Sequence, residues 1–258
     1  MTEQEEHRDD RTDHDNIDFI IRSWAFDPTT VNARIVQGDD GRDVIQMRVD
    51  LGVLQMEATA RPDGTRPHGF DTVLDYLKDK VGTEGVDYRL SDDDCFDIDR
   101  EFVQFYHRRI CWLQLCRFRQ AIADADHTLG LMDLCQAHGP DEEWSLSHEQ
   151  YRPFVMFHRI QAEALVALDE GEGAEAAIEC ITVGLERLRE LFVEYEIEDH
   201  FDDDEMIKRL VEVREDIRTR FGIGQTLREQ LADAVAHEQY ERAARLRDEI
   251  SRRDLGPR

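Results

Sequence analysis

The chemistry that this chain could perform with its own side chains is concentrated in one proline-containing loop. Three residues of the loop carry or can carry a positive charge: Arg61, Arg66 and His68. The prolines restrict the backbone, so these cations would be held on a rigid segment. A small anion or an acidic peptide could bind there, either in a binding protein or in an enzyme. The alternative is a connector whose arginines pair with the nearby Asp63 and Asp71.

Other catalytic signatures are absent from the sequence. It contains none of the spacings typical of phosphate-binding loops, dinucleotide-binding turns, zinc proteases or serine hydrolases. The ten histidines are scattered, and His107 and His158 stand beside arginines in predicted helices. No spacing brings a base, an orienting group and an oxyanion donor together. We therefore expect a protein that is not an enzyme, with no catalytic residue and no cofactor.

The cysteines do not form a metal-binding pattern. They are irregularly spaced and include no CxxC pair: Cys95, Cys111, Cys116, Cys135 and Cys180. This usage suits reduced thiols in the cytosol. His107, Cys111 and Cys116 lie near one another on a predicted helix, but further ligands cannot be placed. We expect packing there, and no metal.

The chain is strongly acidic, with a net charge of −27. Nucleic-acid affinity comes largely from Lys and Arg that neutralise phosphates, so direct nucleic-acid binding is disfavoured. Acidic residues concentrate in residues 1–16, which we expect to be a disordered tail, and in residues 92–99 and 196–205. The last two runs precede predicted helices and suit their N-terminal dipoles. A calcium loop over residues 92–101 is the alternative, but the central glycine and the final glutamate spacing are missing.

The first 16 residues have no apolar core, and no run of about 20 apolar residues occurs in the chain. We therefore expect no signal peptide, no membrane span and a cytoplasmic location.

The N-terminal region, residues 17–90, is predicted to be a small α+β module. Residues 31–36 form one strand, and alternating apolar residues from Ile45 to Leu51 form a second. After Gly52 the apolar residues move to even positions, which indicates a bulge or bend. A helix begins at Val73, after the cationic loop.

Residues 97–221 are predicted to be helical. Phe118, the pair Ala121-Ile122 and Leu129 resemble the second helix of a tetratricopeptide repeat. In a second copy, Ala177 takes the place of Ala121, and the two alanines are 56 positions apart. A tetratricopeptide repeat has about 34 residues, so we infer an insertion within residues 138–147. Stacked repeats would form a concave surface that holds peptides or proteins. The alternative is an irregular helical bundle without a groove.

Two apolar stripes near the C-terminus predict a short helical hairpin after a glycine hinge at residues 222–224. The first stripe contains Leu227, Leu231, Ala234 and Val235, and the second contains Tyr240, Ala243, Ala244, Leu246, Arg247 and Ile250. Thr226 and Glu229 have the spacing of a capping box. The paired alanines Ala243 and Ala244 should let the two helices approach closely.

The second stripe resembles the UVR motif of the UvrB and UvrC subunits of bacterial nucleotide excision repair, which also occurs in some Clp-type ATPases and in the protease regulator McsA. The resemblance lies in Tyr240-Glu241, Ala243-Ala244, Arg247-Asp248 and Ile250. It implies protein–protein contact, including self-association, and carries no catalytic residue. The alternative is a generic hairpin that closes a larger helical fold. The predicted partner-binding residues are Leu231, Val235, Tyr240, Ala243, Ala244, Leu246, Arg247 and Ile250, with Leu231 and Val235 sealing the hairpin and Tyr240 and Ile250 reaching the partner.

The sequence thus predicts a mainly α fold with a small N-terminal β element and a C-terminal hairpin domain at residues 222–258. The function that we expect is a bacterial, non-enzymatic adaptor or scaffold that binds proteins, itself included, through the hairpin. A regulator of an ATP-dependent protease or of nucleotide excision repair is the second hypothesis. A small-anion-binding or enzymatic protein that uses the cationic loop is the third.

Overall fold

The computed structural model describes residues 16–171 and 173–254, and within them the fold is mainly α with a small N-terminal β element, as predicted. The predicted tail falls almost entirely outside these residues. The helices are α1 (Asp18–Ser23), α2 (Val73–Glu84), α3 (Asp92–Gln114), α4 (Phe118–His138), α5 (Glu142–Glu149), α6 (Arg152–Asp169), α7 (Ala174–Glu194), α8 (Glu205–Phe221), α9 (Leu227–Ala236) and α10 (Tyr240–Asp254).

The β element is a three-stranded antiparallel meander of β1 (Asn32–Gln37), β2 (Asp43–Val49) and β3 (Gly52–Glu57). The expected bulge or bend at Gly52 is a complete strand reversal, because Val49 pairs with Gly52 across a two-residue turn. Leu51, predicted to end the second strand, lies in this turn and is 89% exposed. Because the turn has two residues, odd-numbered residues of β2 pair with even-numbered residues of β3, as Ile45 does with Met56. The apolar residues that share a face of the sheet therefore change from odd to even positions at the turn.

The sheet shares its core with the helices. Ile45 and Met56 pack in one cluster with Cys111 and Trp112 of α3 and Ala162 of α6. The predicted N-terminal module is therefore joined to the helical region by apolar packing. Burying these side chains removes apolar surface from water, which is the main favourable term in folding.

The long helices pack in chain order: α3 on α4, α4 on α6, α6 on α7, and α7 on α8. At the crossing of α6 and α7 the backbone of Gly184 lies so close to Ile160 that an added Cβ would be 2.5 Å from its Cγ1. Helix α5 includes residues 142–147 of the inferred insertion. The tetratricopeptide resemblance itself stays a prediction.

The two internal acidic runs cap helices. Ser91 and Asp94 form a capping box at the start of α3, and Asp204 accepts a hydrogen bond from Met206 N (2.8 Å) at the start of α8. In the described ranges, no group of three or more His, Cys, Asp or Glu side chains is arranged to hold a metal ion. No helix of the described chain combines the length and the apolar composition needed to cross a bilayer.

Candidate protein-interaction site

The C-terminal hairpin forms as the sequence predicts. Helices α9 and α10 pack on each other through the buried side chains of Ala234, Ala243 and Leu246, with Leu227 and Leu231 partly buried beside them. This core is very small, because two of its three buried members are alanines. Such a hairpin gains little free energy from its own burial.

The ends of helix α9 are closed by hydrogen bonds. The predicted capping box is confirmed: Thr226 N donates to Glu229 Oε2 (2.8 Å), and Glu229 N donates to Thr226 Oγ1 (3.3 Å). At the other end Gln239 N donates to Ala234 O (2.7 Å), and Glu238 takes a left-handed conformation with φ 57°. These contacts satisfy donors and carbonyls that a helix end leaves unpaired, and they turn the chain back on itself.

The hairpin seam uses only one of the paired alanines. Ala243 is buried between the helices, whereas Ala244 is exposed, contrary to the expectation that both line the seam. Successive residues of a helix point about 100° apart, so neighbours cannot both face the same partner helix. Leu231 packs in the hairpin core as expected, but Val235 is 54% exposed and does not seal it.

The remaining predicted contact residues lie on α10. Tyr240 is 70% exposed, and Arg247 is exposed with its guanidinium 3.1 Å from Asp248 Oδ1. Ile250 is partly buried, and Leu246 belongs to the seam. Because Tyr240, Ala244 and Arg247 stand at positions i, i+4 and i+7, they form one exposed stripe. We use the name hairpin outer face for the exposed residues of the two helices, namely this stripe on α10 and Val235 on α9.

Ion pairs join the hairpin to the rest of the chain. Glu229 pairs with Arg218 and lies 3.7 Å from Arg214, both on α8, and Arg228 pairs with Glu179 on α7. In the part of the chain that the structure describes, the buried hairpin cluster contains only residues of α9 and α10. The hairpin core is therefore separate from the core of the body.

The predicted glycine hinge is held on the body side. Gly222 ends α8 in a left-handed conformation (φ 66°), which glycine adopts without steric cost. Ile223 packs against the core of the helical body, and Arg218 Nη1 donates to Gly224 O at 2.5 Å. Residues 222–224 are thus attached to the helical body.

The three cations of the proline-containing loop are not brought together. Arg61 is 3% exposed and turns inward, with its Nε 3.3 Å from Glu101 Oε2. Arg66 is exposed, and its Nη2 lies 2.5 Å from Asp71 Oδ1. The ring of His68 stacks on the ring of Tyr76, with 4.0 Å between the ring centroids. This arrangement matches the connector interpretation, in which the arginines pair with nearby acids.

A buried polar network beneath that loop has no counterpart in the sequence interpretation. The carboxylate of Glu101 accepts hydrogen bonds from Val73 N (2.8 Å) and Leu74 N (3.2 Å) at the start of α2. Arg108 makes a bidentate pair with Asp124 at 2.7 and 2.9 Å. These groups join α2, α3 and α4 by polar contacts. A signal was available, since Glu101 and Arg108 stand seven positions apart, on the side of α3 that also carries the apolar Ile98, Phe105 and Trp112.

The buried cysteines lack the properties of nucleophiles. All five are free thiols, as expected, and Cys95, Cys111 and Cys135 are buried. Burial raises the pKa of Cys111 to about 12 and contributes most to raising the pKa of Cys95 to about 11. Since the thiolate is the reactive form, these residues are unreactive at neutral pH.

Comparison with known families gives one match. Residues 225–252 match the UVR family, described as the UvrB/uvrC motif. The match coincides with the capped hairpin and confirms the resemblance drawn from its residues. Neither the curated proteins nor the solved structures include a match to this chain. The chain therefore carries a C-terminal UVR motif, which is associated with protein interaction and with DNA repair.

Proposed function

We propose that this protein is a non-enzymatic adaptor or scaffold that binds another protein through the hairpin outer face. The observation that carries the proposal is the division of apolar residues within the UVR motif. Ala234, Ala243 and Leu246 are used inside the hairpin, whereas Val235 and Tyr240 are left in solvent. A helix pair of this size is marginal by itself, so further apolar contact would stabilise it.

The chemistry of the outer face suits a protein partner. Tyrosine and arginine are enriched among the residues that carry most of the binding energy in protein interfaces. Tyr240 and Arg247 stand one above the other on α10, and Arg242 and Arg245 are also exposed on this helix. Residues 226–258 contain seven arginines and seven acidic residues, whereas the chain as a whole is strongly acidic. An acidic or mixed-charge partner would meet less repulsion here than at the rest of the surface.

A more specific role follows from the motif. The association of UVR motifs with DNA repair supports a regulator of nucleotide excision repair. A regulator of an ATP-dependent protease is the alternative that the sequence resemblance implies. Both differ from a general adaptor only in the identity of the partner. The dispersed cations around Arg61 give no such support to an anion-binding or enzymatic role. The five free thiols suit the cytoplasmic location that we include in the proposal.

A matched pair of variants tests the proposal. The first, Val235→Asp with Tyr240→Asp, places charge on the outer face without touching the buried seam. The control, Val86→Asp with Val193→Asp, changes two exposed valines elsewhere. Crosslinking and affinity capture from the native host, quantified by mass spectrometry, compare both with the unchanged protein.

We expect specific partners to fall at least tenfold in the outer-face variant and to be retained by the control. The identities of the lost partners distinguish repair proteins, protease components and copies of this chain. Equal recovery by the two variants would overturn the proposal.

A further inference from the structure

A pocket far from the hairpin lies between α3, α4 and α6, with a volume of about 520 Å³. Aromatic and aliphatic side chains form most of its walls, including Phe102 and Tyr106 on α3, Met132 on α4 and Phe154 on α6. Tyr106 and Tyr151 are exposed and form the rim. Pockets that bind small molecules have this size and this mostly apolar lining, with a few polar groups.

The polar group at the inner end of the pocket is the guanidinium of Arg109, which is 1% exposed. Its Nη1 donates to Thr128 Oγ1 (2.9 Å), and its Nε donates to His158 Nδ1 (3.3 Å). Burial, assisted by the charge of Arg109, lowers the pKa of His158 to about 4, so this imidazole is neutral at pH 7. Both acceptors of Arg109 are therefore uncharged.

The neighbouring Arg108, which is buried in the same core, has more hydrogen-bond partners for its guanidinium than Arg109 has. Arg108 has the Asp124 carboxylate as a bidentate partner, and its Nη1 also donates to the carbonyls of Glu57 (3.1 Å) and Ala60 (2.7 Å). No ion pair within 4.0 Å joins Arg109 to a carboxylate among the described residues; Asp124, whose charge opposes the lowering of the pKa of Arg109 by burial, is already the bidentate partner of Arg108. A guanidinium has five N–H donors, and two of those on Arg109 are used in the described structure.

A buried charge that shares its counterion with another cation and makes no direct pair is costly, because the protein interior solvates ions poorly. The cost is reduced when an anion enters the pocket and pairs with the free donors. A carboxylate suits a single guanidinium, since its one negative charge and two oxygens match the charge and the planar fork. A phosphate would bring excess negative charge into walls that are mostly apolar.

We propose that this pocket binds a small monocarboxylic acid with an aromatic or branched apolar body. The carboxylate pairs with Arg109, and the body lies between the side chains of Phe102, Tyr106, Met132 and Phe154. This site is independent of the hairpin and of the proposed adaptor function.

The test uses the full chain and four probes: phenylacetate, 3-phenylpropanoate, 4-phenylbutanoate and indole-3-acetate. Binding is measured by isothermal titration calorimetry, and the site is located by the NMR signal of the Met132 methyl group. We expect at least one probe to bind and to shift the Met132 signal. Its primary amide, which keeps the shape but loses the charge, should bind at least tenfold more weakly. Acetate and inorganic phosphate should not shift the signal.

Two variants separate recognition from folding. Arg109→Gln removes the charge within the core, and thermal unfolding checks that it folds. Tyr151→Ala changes only the exposed rim, so it tests the pocket even if the first variant does not fold. Both should weaken the best probe at least fivefold, whereas Val86→Asp, at an exposed position outside the pocket, should leave its affinity unchanged. Absence of binding by all four probes, or equal binding of acid and amide, would overturn the proposal.

Discussion

The helical body and the C-terminal hairpin are built from the same kind of helices but differ in what they bury. The body buries large side chains such as Ile178 and Leu188, together with the Arg108–Asp124 pair. The hairpin buries two alanines and Leu246, and it leaves Tyr240 in solvent. The body is thus stabilised by its own packing, whereas the hairpin has apolar surface to offer to a partner.

The ion pairs between the two regions do not remove this difference. Arg218–Glu229 and Arg228–Glu179 are both partly exposed to solvent. Exposed ion pairs each contribute about 0 to 1 kcal/mol, because water screens the charges and long side chains lose entropy. We therefore expect the hairpin to open without unfolding the body, and the following predictions test that separation.

The largest effect should come from breaking the buried ion pair of the body. Asp124→Ala leaves the Arg108 guanidinium buried without its counterion, so the free energy of unfolding should fall by about 3–5 kcal/mol. Asp126→Ala is the control on the same helix, since Asp126 pairs with Arg159 at the surface (2.6 Å) and should cost less than about 1 kcal/mol. Urea unfolding measures both. Similar decreases in the free energy of unfolding in the two variants would show that the Arg108–Asp124 pair is no more important for stability than a surface pair.

The next effect concerns the close crossing of α6 and α7. In Gly184→Ala the new methyl group would overlap the stiff, buried side chain of Ile160, which should cost about 1–3 kcal/mol. Gly82→Ala in α2 is the control, because an added Cβ there meets nothing within 4 Å. It should be neutral or stabilising, since alanine favours helix by about 1 kcal/mol over glycine. Thermal unfolding of both variants checks this prediction.

The body should also be sensitive to mild acid through His158. Its pKa is lowered to about 4 in the folded state, so the unfolded chain takes up the proton first as the pH falls below about 6.5. The folded state keeps its full stability with respect to His158 above pH 6.5, and it loses this contribution as the pH falls from 6.5 to about 4. Relative to His158→Gln, the unchanged protein should lose about 1.4 kcal/mol between pH 7.5 and 5.5. Urea unfolding measures the free energy of unfolding of both proteins at each pH. If it changed with pH in the same way for both, the imidazole of His158 would not be buried and neutral in the folded state.

The smallest effect on overall stability should come from the hairpin itself. Ala243→Arg puts a long charged side chain into the seam and should abolish the helical hairpin, while the main unfolding transition changes by less than about 0.5 kcal/mol. Ala244→Arg should leave the hairpin folded, because this position is exposed. Backbone NMR shifts of residues 227–252 distinguish the two. A large loss of body stability in Ala243→Arg would mean that the hairpin is part of the main core.

Local patterns predicted the elements well. The capping box of Thr226 and Glu229 and the two stripes fixed the hairpin, since caps and helical spacing depend on residues a few positions apart. The irregular repeat spacing indicated an insertion, and α5 lies there. The sequence was less informative where the outcome depends on distant partners. Which of Ala243 and Ala244 faces α9 depends on the rotation of α10, and Arg61 is drawn inward by Glu101, 40 positions away.

The pocket lay beyond sequence reasoning for the same reason. Its walls come from three helices that only the packing of α3, α4 and α6 brings together. Arg108 and Arg109 are adjacent and identical in type, yet only the structure shows that one has a carboxylate partner and the other does not.

The separation of hairpin and body is tested most directly by hydrogen exchange of the unmodified protein, followed by mass spectrometry. Amides of α9 and α10 should exchange through local opening at least about 100-fold faster than those of α4 and α7, after correction for intrinsic rates. Protection of the hairpin equal to that of α7 would contradict the account, because it would place both regions in one cooperative unit.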